Sequence, residues 1–587
     1  MSQRAFTAEP VIKAPGELPE AWIEALVECT VDESVNLPAT AVLAFRDPEH
    51  ELFKETGITI GTTVQVSMIT TADRGQLRLF SGEVTALEAE RDATGTYSVV
   101  RATDPAHKLM RHRRVHAFRN RNAERIVREI AKRAGVAVGT VRAPGTPYDQ
   151  ISQANVTDWE FLRWLAAEHG AWLRIDDQGR LCFSTPKPAS GAPSPKTTNP
   201  QEPLVLRYGE SIRSLRAVLS TADQVGKVTV RGWDPAKKLP RERTESVAVS
   251  KTAQPGLAVT EVDAQFSKTE LLVTDGVYRT QSEVKHAAKA QAAAVSAGYG
   301  ELEAVCNGNP HLRAGTAIAL DVGPQFTGKY TVNATRHRIE PFVGYTTTVV
   351  VSGGEDRTLA GLTGAAPVDR PRMPGLAIGE VTEVRKVRPL DRDAVEGQVK
   401  LRFPWLDKDY VTDWVRTVQS GGVGGGGVVS PDVNDEVLVG FEQGLLDRPY
   451  VIGGLYNGKD KPTEHDVPLV DGLGKVNRRS FSSRGGDRIE LLGTKKAPEG
   501  MKLRTGDGKL TVELDRQNTK IVVHSDGSVE IEATKDVKIT GRGVDINAGR
   551  GKLALTGSSV DITASSGEVS VGAFTDVALR GKIIRLN

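Results

Sequence analysis

The chain has 587 residues, enough for about three to five domains, with 39% apolar residues and 59 glycines, a composition of β-rich, turn-rich globular proteins. Its 76 basic and 74 acidic residues leave a net charge of +2, which excludes a global electrostatic pull toward nucleic acid or membrane. Cys29, Cys182 and Cys306 are odd in number and widely spaced, so they make neither a disulfide framework nor a CxxC metal site and are expected to be buried thiols of a reducing compartment.

Residues 1–20 carry Pro10, Pro15 and Pro19 and no apolar core, so a tail is expected and not a signal peptide. No apolar run reaches the length of about 18 residues that a spanning helix needs. Residues 21–105 read mainly as strands, for example 25–31 (ALVECTV), 41–45 (AVLAF), 63–69 (TVQVSMI) and 97–102 (YSVVRA). A small barrel is the expected closure. Residues 105–135 are basic, with Ile126, Val127, Ile130 and Ala134 at helical spacing. A solvated helix face or a contact with an acidic protein explains this segment better than a nucleic-acid helix. His107, His112 and His116 lie four or five residues apart without a companion cluster of Asp, Glu or Cys, so no metal site is expected.

Thr157 and Glu160 form a capping-box pattern ahead of Phe161, Leu162, Trp164 and Leu165, and Gly170 ends that helix. Residues 184–203, rich in Pro, Ser and Thr, read as a linker. Strands resume at 225–235, an Ala-rich helix spans about residues 283–297, and a second strand set ends near Val351. Residues 353–375, with three prolines, read as another linker. The segment 376–456 holds five short strand patterns around the glycine run 421–427, which suits a five-stranded OB barrel. The run offers Gly-x4-Gly, but Val428 stands where a phosphate-binding loop needs Lys. The glycines are better read as letting a loop turn closely against a neighbouring chain.

The last stretch is the most regular. Apolar pairs recur as Ile521/Val523, Val529/Ile531, Val537/Ile539, Val544/Ile546, Leu553/Leu555, Val560/Ile562, Val569/Val571 and Val577/Leu579, at intervals of 8, 8, 7, 9, 7, 9 and 8 residues. A spacing of two puts both members on one face of a strand, and Gly, Ser and Asp-Gly between pairs form corners. One chain cannot bury such a ladder, because a self-closed coil needs about twenty or more residues per turn. Three intertwined chains bury it on a common axis and pair every strand edge.

The blocks VKLRFPWL (399–406), WVR (414–416), the glycine loop, DEVLVGFE (435–442), RP (448–449) and GGLYNGK (453–459) occur in order and resemble the OB domain of VgrG-type spikes, the hub-and-needle proteins of contractile injection systems. Upstream, DPAHKLMR (104–111), WEFLRWLA (159–166) and RGWDP (231–235) resemble blocks of the phage late-control hub. The resemblance covers nearly the whole chain. It implies a mainly β homotrimer with a tail at 1–20 and, at 21–370, a hub of two tube-like β-barrels with small α/β insertions. An OB-fold follows at 371–460, then a linker or neck at 461–508, and a triple-stranded β-helix needle at 509–587. The pairs above are then the trimer core, and Ile584 and Leu586 the contact for a PAAR-repeat tip protein. Further implied partners are the inner tube protein and baseplate proteins, with effector cargo left open, no nucleic acid, and a target membrane only on firing. No catalytic residue, cofactor or metal is implied, since the roughly 50 residues between Tyr456 and Lys509 are too few for an independent catalytic domain. Assembly in the cytoplasm within a phage tail-like particle, of an extracellular-type or phage-like system, is the expected setting. The competing readings are an OB-fold nucleic-acid binder and a spike carrying a cell-wall hydrolase.

Overall fold

The computed structural model describes residues 8–71, 75–199, 202–259, 268–341, 343–353, 372–387, 395–425, 427–493 and 499–586. Residues 1–7 of the expected tail, residues 354–371 of the second linker, Gly426 of the glycine run and terminal Asn587 lie outside them. The protein is mainly β, with 40% strand and 12% helix. It divides into two units, Met1–Lys461 and Pro462–Asn587.

The first unit is built on one ten-stranded sheet. Strands β1 (Ala8–Lys13), β2 (Leu26–Ser34), β3 (Thr40–Arg46), β4 (Thr63–Thr70), β5 (Gln76–Asp92) and β6 (Gly95–Thr103) form its first half. Each follows an alternating or apolar run that buries one face. Leu43, Phe45, Val64, Val66, Met68 and Val100 pack in one core. The barrel expected from these strands does not close by strand pairing among the described residues. The outer edge of β2 pairs with a strand three hundred residues away, in the order β1-β4-β5-β6-β3-β2-β11-β12-β10-β9. Here β9 is Ile212–Leu219, β10 Gly300–Asn307, β11 Ala334–Glu340 and β12 Gly344–Val351. The register runs from Cys29↔Ile339 to Ser34↔Ala334. An unpaired strand edge is costly, and a second strand set supplies the partner. That set has its own core around Leu302, Ala304, Leu312, Ile318, Tyr330 and Val349.

Between the halves lie β7 (Arg113–Arg121), α1 (Ala123–Ala134), β8 (Tyr148–Thr157) and α2 (Asp158–Glu168), while α3 (Gln281–Ala297) lies within the second half, between β9 and β10. The helix starts are chemically explicit. Glu160 N donates to Thr157 Oγ1 at 3.1 Å while Thr157 N donates to Glu160 Oε2 at 2.8 Å. Thr280 and Glu283 repeat that reciprocal cap on α3. Gly170, at φ +59°, follows α2 in the left-handed conformation that favours glycine. The basic run at 105–135 is split between β7 and α1. The three cysteines are free and buried, and burial pushes the Cys29 and Cys306 thiols up to about 12.

Residues 376–456 hold β13 (Leu376–Val384), β14 (Val399–Arg402), β15 (Arg416–Thr417), β16 (Glu436–Phe441) and β17 (Pro449–Gly454), ordered β14-β13-β16-β17-β15. The bridge between Val399 and Val415, with N–H···O distances of 3.0 and 2.8 Å, links the two ends of this order. Phe403, Val381, Val437, Val439 and Val451 fill its core, and Ala154 on β8 joins them. The antiparallel β7–β8 pair is tied here by polar bonds as well. Ser152 Oγ lies 3.0 Å from the buried Tyr410 hydroxyl, and Arg119 donates to the Val411 and Thr412 carbonyls.

Candidate functional site

In the second unit, the stretch expected as a neck contains three strands and leads into two more. These are β18 (Arg478–Ser482), β19 (Arg488–Leu492), β20 (Gly500–Arg504), β21 (Leu510–Asp515) and β22 (Lys520–Ser525), an antiparallel meander. Its corners are set by carboxylates. Asn518 N donates to Asp515 Oδ1 at 3.1 Å, and Lys509 N to Asp507 Oδ1 at 3.1 Å. The bond from Asn518 holds the Asp515 carboxyl below the usual carboxylate range, and that from Thr505 does the same for Asp507.

Alternation along each strand divides the meander into two unlike faces. One is polar and carries Ser480, Ser482, Arg488, Glu490, Lys502 and Arg504. The segment after the first unit is pinned to it. His465 Nδ1 lies 2.5 Å from Glu490 Oε1, Arg478 Nη1 donates to Val467 O at 2.6 Å, and Asp466 pairs with Arg488 and Arg504.

The opposite face is apolar and uncovered in the single chain. Strand register aligns Phe481, Ile489, Leu503, Val512 and Val523 in one cross-strand row, and Leu491, Met501, Leu514 and Ile521 in a second. All nine are exposed, from 36% at Val512 to 78% at Phe481. Rows of this kind stabilise a sheet only weakly while they face water, and so large a continuous apolar face marks an interaction surface.

Ile521 and Val523, the first of the octad pairs, therefore sit on β22 within this antiparallel sheet, hydrogen-bonded to β21. The other seven pairs lie beyond it. Among the described residues after Ser525 no strand pairs with another; Asp526 N still donates to Lys509 O at 3.1 Å, and beyond it the backbone hydrogen bonds are short-range, such as Gly551 N to Ala548 O at 2.8 Å.

The residues expected as a core are not a core of the single chain. Ile531, Ile539, Ile546, Leu555, Ile562, Val571 and Leu579 are 61–73% exposed, and the residues that open those pairs, Val529, Val537, Val544, Leu553, Val560, Val569 and Val577, are 51–57% exposed. In each of these seven pairs the second member is the more open. The reason is geometric. A turn of about eight residues sets both side chains of a pair on one face but brings no second layer of the same chain across it. Ile584 and Leu586, expected at the tip, repeat the i, i+2 pattern seven residues after Val577 and are likewise exposed.

The rows from Phe481 to Leu514 were missed at the sequence level. Their signal was there, as i, i+2 apolar residues at 489/491, 501/503 and 512/514, but irregular hairpin lengths hide them from a search for a period of eight.

Elsewhere, residues singled out by sequence are engaged locally. His107 Nε2 lies 3.1 Å from Glu83, and His116 faces Glu129 at 3.7 Å. Among the described residues no group of three or more His, Cys, Asp or Glu could hold a metal ion, and no helix is long and apolar enough to cross a membrane. The glycine loop turns through positive φ at Gly424 and Gly427 and exposes Val423, Val428 and Val429.

Comparisons with known proteins add two family matches. The model described as the Alg8 N-terminal domain matches residues 16–341, and that described as the type VI secretion system/phage-baseplate injector OB domain matches residues 383–456. The chain is 31% identical over 105 residues to the type VI secretion system spike protein VgrG2a of Pseudomonas aeruginosa, and 34% identical over 95 residues to VgrG5 of the same organism. These alignments cover 16% and 15% of this chain and 12% of each relative. In fold it is similar to a chain of the Francisella PdpA-VgrG complex, with a TM-score of 0.51 and 9% identity over 89% of this chain and 80% of that one.

Proposed function

The chain belongs to the Alg8 N-terminal domain family, and we propose that it is a VgrG-type spike protein, three copies of which assemble into the central spike of a contractile injection system. The observation that carries this reading is the uncovered apolar surface of the second unit. It begins with the two rows of the meander and continues through the octads to Leu586. Burying each Val, Ile or Leu contributes roughly 1.5–3 kcal/mol, and backbone groups left unpaired in one chain demand partners. Three copies around an axis satisfy both demands. The meander forms the base of the shaft with its apolar face inward and its pinned polar face outward.

The mechanism is mechanical. The hub, with its ten-stranded sheet, caps the inner tube and organises the baseplate. The OB segment joins hub to shaft. When the sheath contracts, the needle is driven through the target envelope, and its continuous core and paired edges resist buckling. Ile584 and Leu586 offer the apolar end on which a PAAR-type tip protein seats. No group of this chain is assigned a catalytic role, and the setting is a phage tail-like particle assembled in the cytoplasm. Light scattering on the purified full chain tests the assembly. A native mass of about 190 kDa, three times the 63.2 kDa of one chain, is expected; a monomer that keeps its secondary structure would sink the shaft reading.

A further inference from the structure

Helix α1 is amphipathic in an unusual way. Its inner side buries Ala123, Ile126, Val127, Ile130 and Ala131. Its outer side presents Arg125, Arg128 and Lys132, all exposed, at positions i, i+3 and i+7. A rise of 1.5 Å per residue places them along about 10 Å of one face.

The carboxylates that could neutralise this stripe are committed elsewhere. Glu124 Oε1 accepts from Ala143 N at 3.0 Å. Glu129 faces His116 and Arg121, at 3.7 and 3.9 Å. Arg133, next in sequence to Lys132, is turned to Gln153 and Asp158. Among the described residues, Arg125, Arg128 and Lys132 have no ion-pair partner. Burial and the nearby Arg133 hold the His116 imidazole below its ordinary pKa, so it adds little charge at neutral pH.

We propose that this face of α1 is the docking site for an acidic protein segment. Charge complementarity names the chemistry, since guanidinium groups bind carboxylates bidentately. A partner helix with Glu or Asp at i, i+3 and i+7 matches the stripe. A nucleic acid fits less well. The helix has no aromatic side chain for base stacking, and a chain of net charge +2 supplies no wider positive field. The proposal stands apart from the spike reading, because it concerns a surface of the first unit and needs no trimer.

The test uses the full chain and a fluorescent synthetic helical peptide carrying Glu at i, i+3 and i+7, with a Gln version as its control. Binding is read by anisotropy at about 50 and about 200 mM NaCl. The Glu peptide is expected to bind, more weakly at the higher salt. The triple variant R125E/R128E/K132E should weaken it roughly tenfold or more. R125Q/R128Q/K132Q, which reverses no charge, should weaken it less. Reversal of three exposed cations elsewhere, K227E/K237E/K238E, should leave it within about twofold. Equal losses from the two charge-reversal triples would overturn the proposal, as would no binding at the lower salt. Tighter binding of single-stranded DNA that R125E/R128E/K132E abolishes would assign the face to nucleic acid and overturn it too.

Discussion

Arg313 Nε donates to Glu33 Oε2 at 2.7 Å across 280 residues of sequence. Glu33 lies on β2, and its carboxylate also accepts from Ala314 N at 3.3 Å. The Arg313 Nη1 reaches on to the carbonyl of Arg78 on β5 at 2.8 Å. A side chain from the second strand set thus binds the first beside the β2–β11 seam. Arg313→Ala would leave the buried Glu33 without its counter-ion, at a cost of about 3–5 kcal/mol, whereas Arg313→Met with Glu33→Leu removes both charges and should cost much less. Thermal unfolding followed by circular dichroism compares the two. Equal melting of wild type and Arg313→Ala would mean that strand pairing alone holds the seam.

The proposed shaft core is tested by Ile562→Asp, which would place three carboxylates on the axis. The neighbouring Thr563→Asp changes an outward position and serves as the control. Light scattering should give a monomer or an aggregate for the first and an unchanged trimer for the second. A trimer of unchanged melting temperature from Ile562→Asp would remove that residue from the core.

Whether the core extends into the meander is a separate question. Leu491→Asp is expected to lower the denaturant midpoint of assembly, since it buries a charge that has no partner. Glu513→Gln, on the polar face, should change stability by no more than about 0.5 kcal/mol. If both leave assembly untouched, the contact begins only at the octads.

Acidification acts on the first unit through groups of opposite sign. Burial, with Arg313 nearby, pushes His337 down to about 3. Its ring lies between the Tyr345 hydroxyl at 2.7 Å and the Leu312 carbonyl at 2.9 Å. The unfolded chain binds this proton near pH 6.5 and the folded chain does not, so stability falls as pH drops from about 6.5 toward 3, by about 1.4 kcal/mol per pH unit at most. Burial pushes Asp104 up to about 7. Folded Asp104 then keeps a proton that the unfolded chain has lost, and stability falls as pH rises from about 4 through 7. Between pH 4 and about 6.5 the two slopes oppose each other, so relative to wild type Asp104→Asn should tilt the melting temperature upward with rising pH in that range and His337→Gln should tilt it downward. An unchanged profile in either variant would mean that the group titrates alike in both states.

Much of this protein is written locally. The pairs at 521–579 and the corners between them, the reciprocal caps at Thr157 and Thr280, and the succession of blocks from Val399 to Lys459 were legible because each depends on residues within a few positions of one another. Periods of two, of 3.6 and of about eight are properties of one strand, one helix or one turn of chain. The partner of a strand edge is not. That the outer edge of β2, whose other edge pairs with β3, goes to β11 and not to β1 was decided by tertiary structure. So were the Arg313–Glu33 contact across the halves, the joining of Ala154 and Tyr410, and the common face of Phe481, Leu503 and Val523. In each case the groups are set side by side by register between segments whose separation in sequence carries no period. Alternation tells which residues share a face; only the folded arrangement of hairpins tells which faces meet, and which is left for another chain.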